Sequence, residues 1–415
     1  MRRRLLAPAV VVAFVAGAAS ASGAGAGGSD LEAGLGDQFT AVLAGFVGDE
    51  LVPVPGTDGR WHVVYELELT NAKHVPATIE GVEVLDLDHP DRVLRSFSGK
   101  TLTADLFELS GHPREKTRKA GAVAELAPGE SALVFVELAF GDRAEVPDRI
   151  VHRLTGRAAT NPGSESPEPI RYLVAPRDLS RREPIALGPP LAGGGWLAVN
   201  GCCRGGAHRG AVQTVNGALI NSQRFAIDWL RVGPGGKLFA GDRLEDAPSW
   251  YCYGQPVLAV ADGTVIATES SLDDQPVGTL PDPKTITLQT VDGNHVILDL
   301  GNGVYAFYAH LVKGSVAVEP GDRVRKGQEL GRLGNSGNTS APHLHFHLMN
   351  GPSAIASDSL PYVFESFTLE GRVDPAQWYE SDDLGDALTI LADEAGPRSG
   401  QLPLDLQVVE LPAGD

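Results

Sequence analysis

The stretch APHLHFHLMNG, residues 341–351, places His343, His345 and His347 at every second position. Side chains along a β-strand alternate between its two faces, so this spacing puts three imidazoles on one side. Imidazoles collected in that way serve a metal ion, a proton or water. The chain has 11 histidines, and those at 208, 295, 310, 343, 345 and 347 lie beyond residue 185, together with Cys202, Cys203 and Cys252. Whatever chemistry the protein performs is expected in that C-terminal part.

The elements that must position these residues are strands. Gly 50 and Pro 29 in 415 residues, with 21% charged residues, favour many short strands and turns, and the length calls for two or three domains. Residues 1–21, with three arginines, an apolar run and Ala19-Ser20-Ala21, are built like a secretory signal peptide. The apolar run falls short of the roughly 20 residues a membrane span needs, and no later segment supplies one. Residues 22–35 form a flexible spacer, and a secreted or periplasmic bacterial protein is expected. Net charge −19 and a pI near 5.0 exclude nucleic acid as a partner, because its phosphates require a basic stripe. Oligomeric state is left open.

In RWHVVYELELTN, Val63, Tyr65, Leu67 and Leu69 alternate with His62, Val64, Glu66 and Glu68, the pattern of a half-buried strand. GVEVLDL and APGESALVFVELAF repeat it at sandwich-like intervals. Residues 36–155 therefore read as an immunoglobulin-like β-sandwich that binds or positions, with His62, His74, His89, His112 and His152 on its surface. A Pro, Ser and Arg-rich linker over 156–185 precedes a second domain, 186–365, whose strand patterns are joined by Asp-Gly, Asn-Gly and Pro-Gly turns into an antiparallel sheet. Residues 366–415 form an acidic extension that either covers the sheet or trails from it. Adjacent cysteines rarely bond each other, so an exported chain is expected to pair Cys252 with Cys202 or Cys203. Zinc ligation by one of those two, near His208, is the alternative.

VLAVADGTV (257–265), YAFYAHL (305–311), PGDRVRKGQELGRLGNSGNTSAPHLHFHL (320–348) and RFAIDW (224–229) resemble, in order, the LytM/lysostaphin-type zinc metalloendopeptidases, which cut the peptides of bacterial cell walls. The likeness covers about 150 residues of the second domain. It implies that this domain is an antiparallel metallopeptidase sheet with Zn2+ as cofactor, so that the whole chain is expected to be mainly β, a sandwich followed by that sheet. It also implies His345 as a zinc ligand, His343 and His310 as the pair flanking the attacked carbonyl, and Asp228 as a second ligand. Zinc in a hydrolase keeps three protein ligands and one open position, where a bound water becomes a nucleophile near pH 7. One neighbouring imidazole then takes a proton while the other donates to the developing oxyanion.

The sequence departs from the pattern at the third ligand. Four residues before Asp228 the family has a histidine, and this chain has Arg224, which offers no lone pair. His208 is the substitute. Asn216-Gly217 is a two-residue hairpin signal, and counting back from a Val215–Ala218 pair puts His208 opposite Phe225. In an unbroken ladder that is the wrong face by one residue, so a bulge or an end to pairing near Gly210 is required. His347, where the family usually has a glutamate, reads as a residue that orients a ligand. His295 reads as a solvated strand residue, Asp262 and Asp299 as turn residues, and GNSGNTSAP as the loop framing a substrate groove.

The expected function is an exported zinc endopeptidase acting on peptidoglycan peptide stems or cross-bridges, with His208, Asp228 and His345 on the metal and His310 and His343 at the carbonyl. The alternative is a catalytically degenerate LytM-like domain that binds and regulates other wall hydrolases, and Arg224 is the feature that favours it.

Overall fold

The alternation in RWHVVYELELTN forms strand β1 (Trp61–Asn71), which lies antiparallel to β2 (Ser131–Phe140) with Tyr65 opposite Val136 and Glu66 opposite Phe135. Both belong to a five-stranded sheet with Val42–Phe46, Val54–Pro55 and Leu106–Glu108. A second five-stranded sheet is built from Ala77–Asp86, Val93–Ser98, Ala124–Leu126, Arg149–Ala158 and Glu168–Asp178. Tyr65, Leu67 and Leu69 of one sheet and Val82, Val84, Ile150 and Leu154 of the other share one core. The stretch expected as a linker, 156–185, thus contains a full strand of the second sheet.

The computed structural model describes residues 37–413 except 109–123, 162, 204, 205, 283, 289 and 381–383. The signal peptide (1–21), the spacer up to residue 35 and His112 lie outside the described residues. No described helix is long and apolar enough to cross a membrane.

The rest of the chain is organised by a twelve-stranded sheet. Its central strands are β3 (Gly193–Val199), β4 (Ile227–Arg231), β5 (Asn294–Gly301), β6 (Val304–Leu311), β7 (Leu344–Met349) and β8 (Gln407–Leu411), hydrogen-bonded in the order β5-β6-β7-β4-β3-β8. β8 and Phe367–Val373 come from the acidic extension, which therefore completes the sheet rather than trailing. The β5–β6 hairpin closes through Asn302 and Gly303, both at positive φ, as a tight Asn-Gly turn demands. Fold class is as the sequence indicates: mainly β, with antiparallel strands throughout this sheet.

One face of the central strands packs an apolar core. Leu344, Phe346 and Leu348 of β7, Ile227 and Trp229 of β4 and Tyr308 of β6 point into a single large core. The alternate residues, His345, His347 and Asp228, face the other way and are also buried. The period of two in PHLHFHLM thus separates a packing face from a chemical face.

Three sequence expectations are corrected. His62 and His152 are buried at 3% and 0% exposure rather than on the surface, while His74 and His89 are exposed. His62 is held between Asp58 and Glu137, and His152 bonds the Tyr65 hydroxyl at 2.7 Å, so each has polar partners that allow burial. Cys252 is free, buried and directed at the Pro342 carbonyl, and the bond joins Cys202 to Cys203. The outer face of β1, read as solvated, is covered: Val64 belongs to the core under the twelve-stranded sheet and Glu66 is 0% exposed. Phe39–Asp415 is one compact unit, and the outer face of β1 is sealed by contact within it.

Candidate metal and catalytic site

The site is assembled on the chemical face by register. Asp228 sits directly opposite His345 across the β4–β7 ladder, and Ala309 lies opposite His345 on the other side. In an antiparallel pair such residues project side by side, so the Asp228 carboxylate meets the His345 ring, with Oδ1 2.9 Å from Nδ1. Val199, the last residue of β3, is opposite Asp228 and delivers Asn200. Asn200 takes a left-handed φ of 57° and donates from Nδ2 to Asp228 Oδ2 at 2.8 Å.

His208 arrives by a different route. The Asn216-Gly217 hairpin forms as expected, with both residues at positive φ, but its ladder ends at the Gln213–Ile220 pair. Pairing therefore stops short of Gly210, and His208 sits instead on a one-turn helix, Ala207–Gly210. Its Nε2 lies 3.2 Å from Asp228 Oδ2. Its Nδ1 lies 3.0 Å and 3.1 Å from the carbonyls of Asn200 and Ala226, which can only accept, so Nδ1 carries the proton and Nε2 keeps its lone pair. His208, Asp228 and His345 are all buried, and one donor atom from each lies within 4.8 Å of the others. Two imidazoles and a carboxylate are the donor set that zinc takes in hydrolytic sites.

His310 and His343 flank this cluster, with ring centroids 4.7 Å apart. His310, next to last in β6, is in a left-handed conformation, φ 64°, and its Nδ1–H donates to Ser336 O at 2.8 Å. His343 donates from Nδ1 to Ala341 O at 2.8 Å, and its Nε2 lies 3.3 Å from Asp228 Oδ1. Both carbonyls belong to the Gly-rich loop that precedes β7. All five site residues line one cleft of about 540 Å³, whose walls include Asn338, Thr339, Ser340 and Ala341 of that loop.

Burial alone would raise the Asp228 carboxyl, but the His208 and His343 imidazoles hold it well below its ordinary range. Burial opposes charge on His208 and His343, and Asp228 outweighs it and raises both. At His345 burial prevails over Asp228 and lowers the ring. Burial, reinforced by His343 and His345, pushes His310 well below the usual histidine range.

His347 lies behind His345, with its Nδ1 2.9 Å from His345 Nε2, and is outside the three-residue donor group. Arg224 is turned away from the site and paired with Glu66 and Asp358. His295 is half-buried with Nδ1 bonded to Gly293 O, and does not line the cleft. Asp262 and Asp299 accept from backbone amides of Lys326 and Gly301, as turn residues do. Sequence reasoning missed Asn200, which touches both Asp228 and His208. The Asn200-Gly201 step at a strand end was the only signal for it.

Residues 250–357 match the profile of Peptidase family M23. The peptidoglycan DD-endopeptidase ShyA of Vibrio cholerae serotype O1 is 31% identical over 96 residues, 23% of this chain and 18% of that protein. The glycyl-glycine endopeptidase ALE-1 of Staphylococcus capitis is 32% identical over 127 residues, 29% of this chain and 34% of that protein. The chain thus spans about a fifth to a third of the length of these relatives. A solved structure of the lysostaphin catalytic domain from Staphylococcus simulans aligns with 23% identity over 35% of this chain and 80% of that chain, at a TM-score of 0.21. The profile spans the strands that carry His310, His343 and His345, so it is over residues 250–357 that this chain matches peptidase family M23 and resembles its lysostaphin-type members.

Proposed function

We propose that the protein is an exported zinc metalloendopeptidase that hydrolyses peptide bonds of bacterial cell-wall peptidoglycan. The observation that carries this reading is the convergence of His208, Asp228 and His345 in a cleft that also holds His310 and His343. The relatives named above, both peptidoglycan or glycyl peptide endopeptidases, support the substrate class.

In this reading Nε2 of His208, the Asp228 carboxylate and Nδ1 of His345 hold the metal. A bound zinc ion supplies a Lewis acid and brings the pKa of a coordinated water toward neutrality. The protein contributes the rest. Asn200 orients the Asp228 carboxylate by donating to Oδ2, and the backbone carbonyls on Nδ1 of His208 fix its tautomer. His310 and His343 each spend Nδ1–H on a loop carbonyl, so the bare Nε2 of His310 can take a proton, while His343, whose protonated form Asp228 favours, can donate from Nε2–H to the carbonyl oxygen under attack. Arg224, which favoured a degenerate regulator, is occupied elsewhere, and His208 supplies the donor that it lacks.

Metal analysis and wall digestion test this. Purified wild-type protein should carry zinc, and His208→Ala and His345→Ala should lose it. His310→Ala and His343→Ala should keep zinc and lose roughly 100-fold or more in digestion rate. Full digestion by either variant removes that residue from the mechanism, and wild-type zinc content in His208→Ala removes the third ligand.

A further inference from the structure

We propose that Glu66, in the N-terminal sandwich, is a positioning residue for the metal site: through Arg209 it fixes the one-turn helix that carries His208. The inference rests on reading His208 as a metal donor.

Asp228 and His345 need no outside help, because adjacent strands of one sheet hold them in register. His208 has no such support. Its helix, Ala207–Gly210, has no side-chain cap at its N-terminus and closes through Gly210 N–Gly206 O and Ala211 N–His208 O. A single turn of helix is unstable by itself, since nucleation fixes several residues for one hydrogen bond. Its place must come from tertiary contacts.

The His208 ring is itself tied to the Asn200 and Ala226 carbonyls, and the next residue anchors the helix that carries it. Arg209 is 3% exposed and points into the sandwich, where Nε and Nη2 donate to Glu66 Oε1 at 3.1 Å and 3.0 Å. Nη2 also donates to Tyr65 O at 2.9 Å, and Nη1 reaches back to Cys203 O at 2.8 Å. The other oxygen of Glu66 accepts from Arg224 Nε at 2.8 Å, and Arg224 Nη1 in turn holds Asp358. One fully buried carboxylate therefore ties together the segments on both sides of the hairpin, the one bearing His208 and the one leading into Asp228. A buried ionic cluster adds little net stability against an apolar alternative, but an unpaired buried charge is costly, so the cluster admits one arrangement. That arrangement places His208 Nε2 at Asp228. Consecutive helical residues diverge by about 100°, so one turn can aim His208 at the metal site and Arg209 at the sandwich.

The test uses the full chain. Zinc affinity is measured by competition with a chelator, beside the melting temperature and the amide hydrogen exchange of residues 206–211 in metal-free protein. The variants are Glu66→Gln, His208→Ala and Val82→Ala, a core substitution in the other sheet of the sandwich. The expected result is a roughly tenfold or greater loss of zinc affinity in Glu66→Gln with faster exchange at 206–211. Val82→Ala should lower the melting temperature yet bind zinc as wild type. Wild-type affinity in Glu66→Gln, or a loss no larger than in Val82→Ala, overturns the positioning role. If Glu66→Gln does not fold, Glu66→Asp keeps the charge but shortens the reach, and unchanged affinity in it likewise overturns the role. Unchanged affinity in His208→Ala instead removes the donor assignment on which the inference rests.

Discussion

A histidine nitrogen can bind a metal or accept a proton only if the other nitrogen carries the hydrogen, and at 208, 310 and 343 backbone carbonyls make that choice. His345 is different, because its Nε2 faces another ring. His347 Nδ1 lies 2.9 Å from it, while His347 Nε2 is buried with no partner among the described residues. Burial, with His345 adding to it, pushes His347 well below the usual histidine range and keeps the ring neutral. It can therefore accept from His345 Nε2–H and leave Nδ1 for the proposed metal. His347→Phe should preserve packing against Phe307 and lower zinc affinity about 10–100-fold, with His347→Gln recovering part of the loss. Equal affinities in all three proteins would mean that the neighbouring ring only fills space.

At the scale of elements, the hairpin β5–β6 and the Gly-rich loop before β7 are fastened to each other through glycines. Gly293, at φ 65°, stands so close to the Ser336 carbonyl that a Cβ would collide with it, and a Cβ on Gly337 would collide with Gly293. Ser336 O is the acceptor for His310 Nδ1–H, so this close approach sets the ring. Gly293→Ala is expected to cost about 2 kcal/mol or more, read from the urea midpoint, and to depress wall digestion beyond the loss of folded protein. A variant with normal stability and activity would show that the loop can yield. The same scale explains what the sequence revealed of the site. The period-two spacing of His343, His345 and His347 and the Asn-Gly turns are local signals, readable within a few residues. The end of the Gln213–Ile220 ladder is set by what packs around it, and no residue in GAHRGAVQTV announces a helical turn at 207–210.

At the scale of the whole molecule, the sandwich carries two buried histidines with opposite pH behaviour. Burial opposes charge on His62, but the hydrogen bonds it donates to Asp58 and Glu137 raise its pKa from 6.5 to about 9. A folded-state pKa above the unfolded one gives stability that is full below pH 6.5 and lost as pH rises toward 9. Burial lowers His152 from 6.5 to about 4, so its contribution is full above 6.5 and lost as pH falls toward 4. Each is worth up to about 3 kcal/mol. Urea midpoints near pH 4, 6.5 and 9 should show His62→Gln with a flatter alkaline side and His152→Phe with a flatter acid side than wild type. Parallel curves for variant and wild type would contradict both assignments.

The sequence by itself determined the mainly β character and the chemical face of β7, because alternation and turn chemistry are short-range and strict, and the family likeness implied that Asp228 joins the histidines of that strand. The tertiary structure alone decided that His208 reaches Asp228 from a helical turn rather than a continued ladder, that Cys202 bonds Cys203, that His62 and Glu66 are buried, and that the acidic C-terminal segment finishes the sheet. Each of these depends on which surfaces meet after the strands have formed. Glu66 in YELELT reads as a solvated residue of an amphipathic strand, and only the docking of Arg209 and Arg224 onto it shows that its face is an interior one.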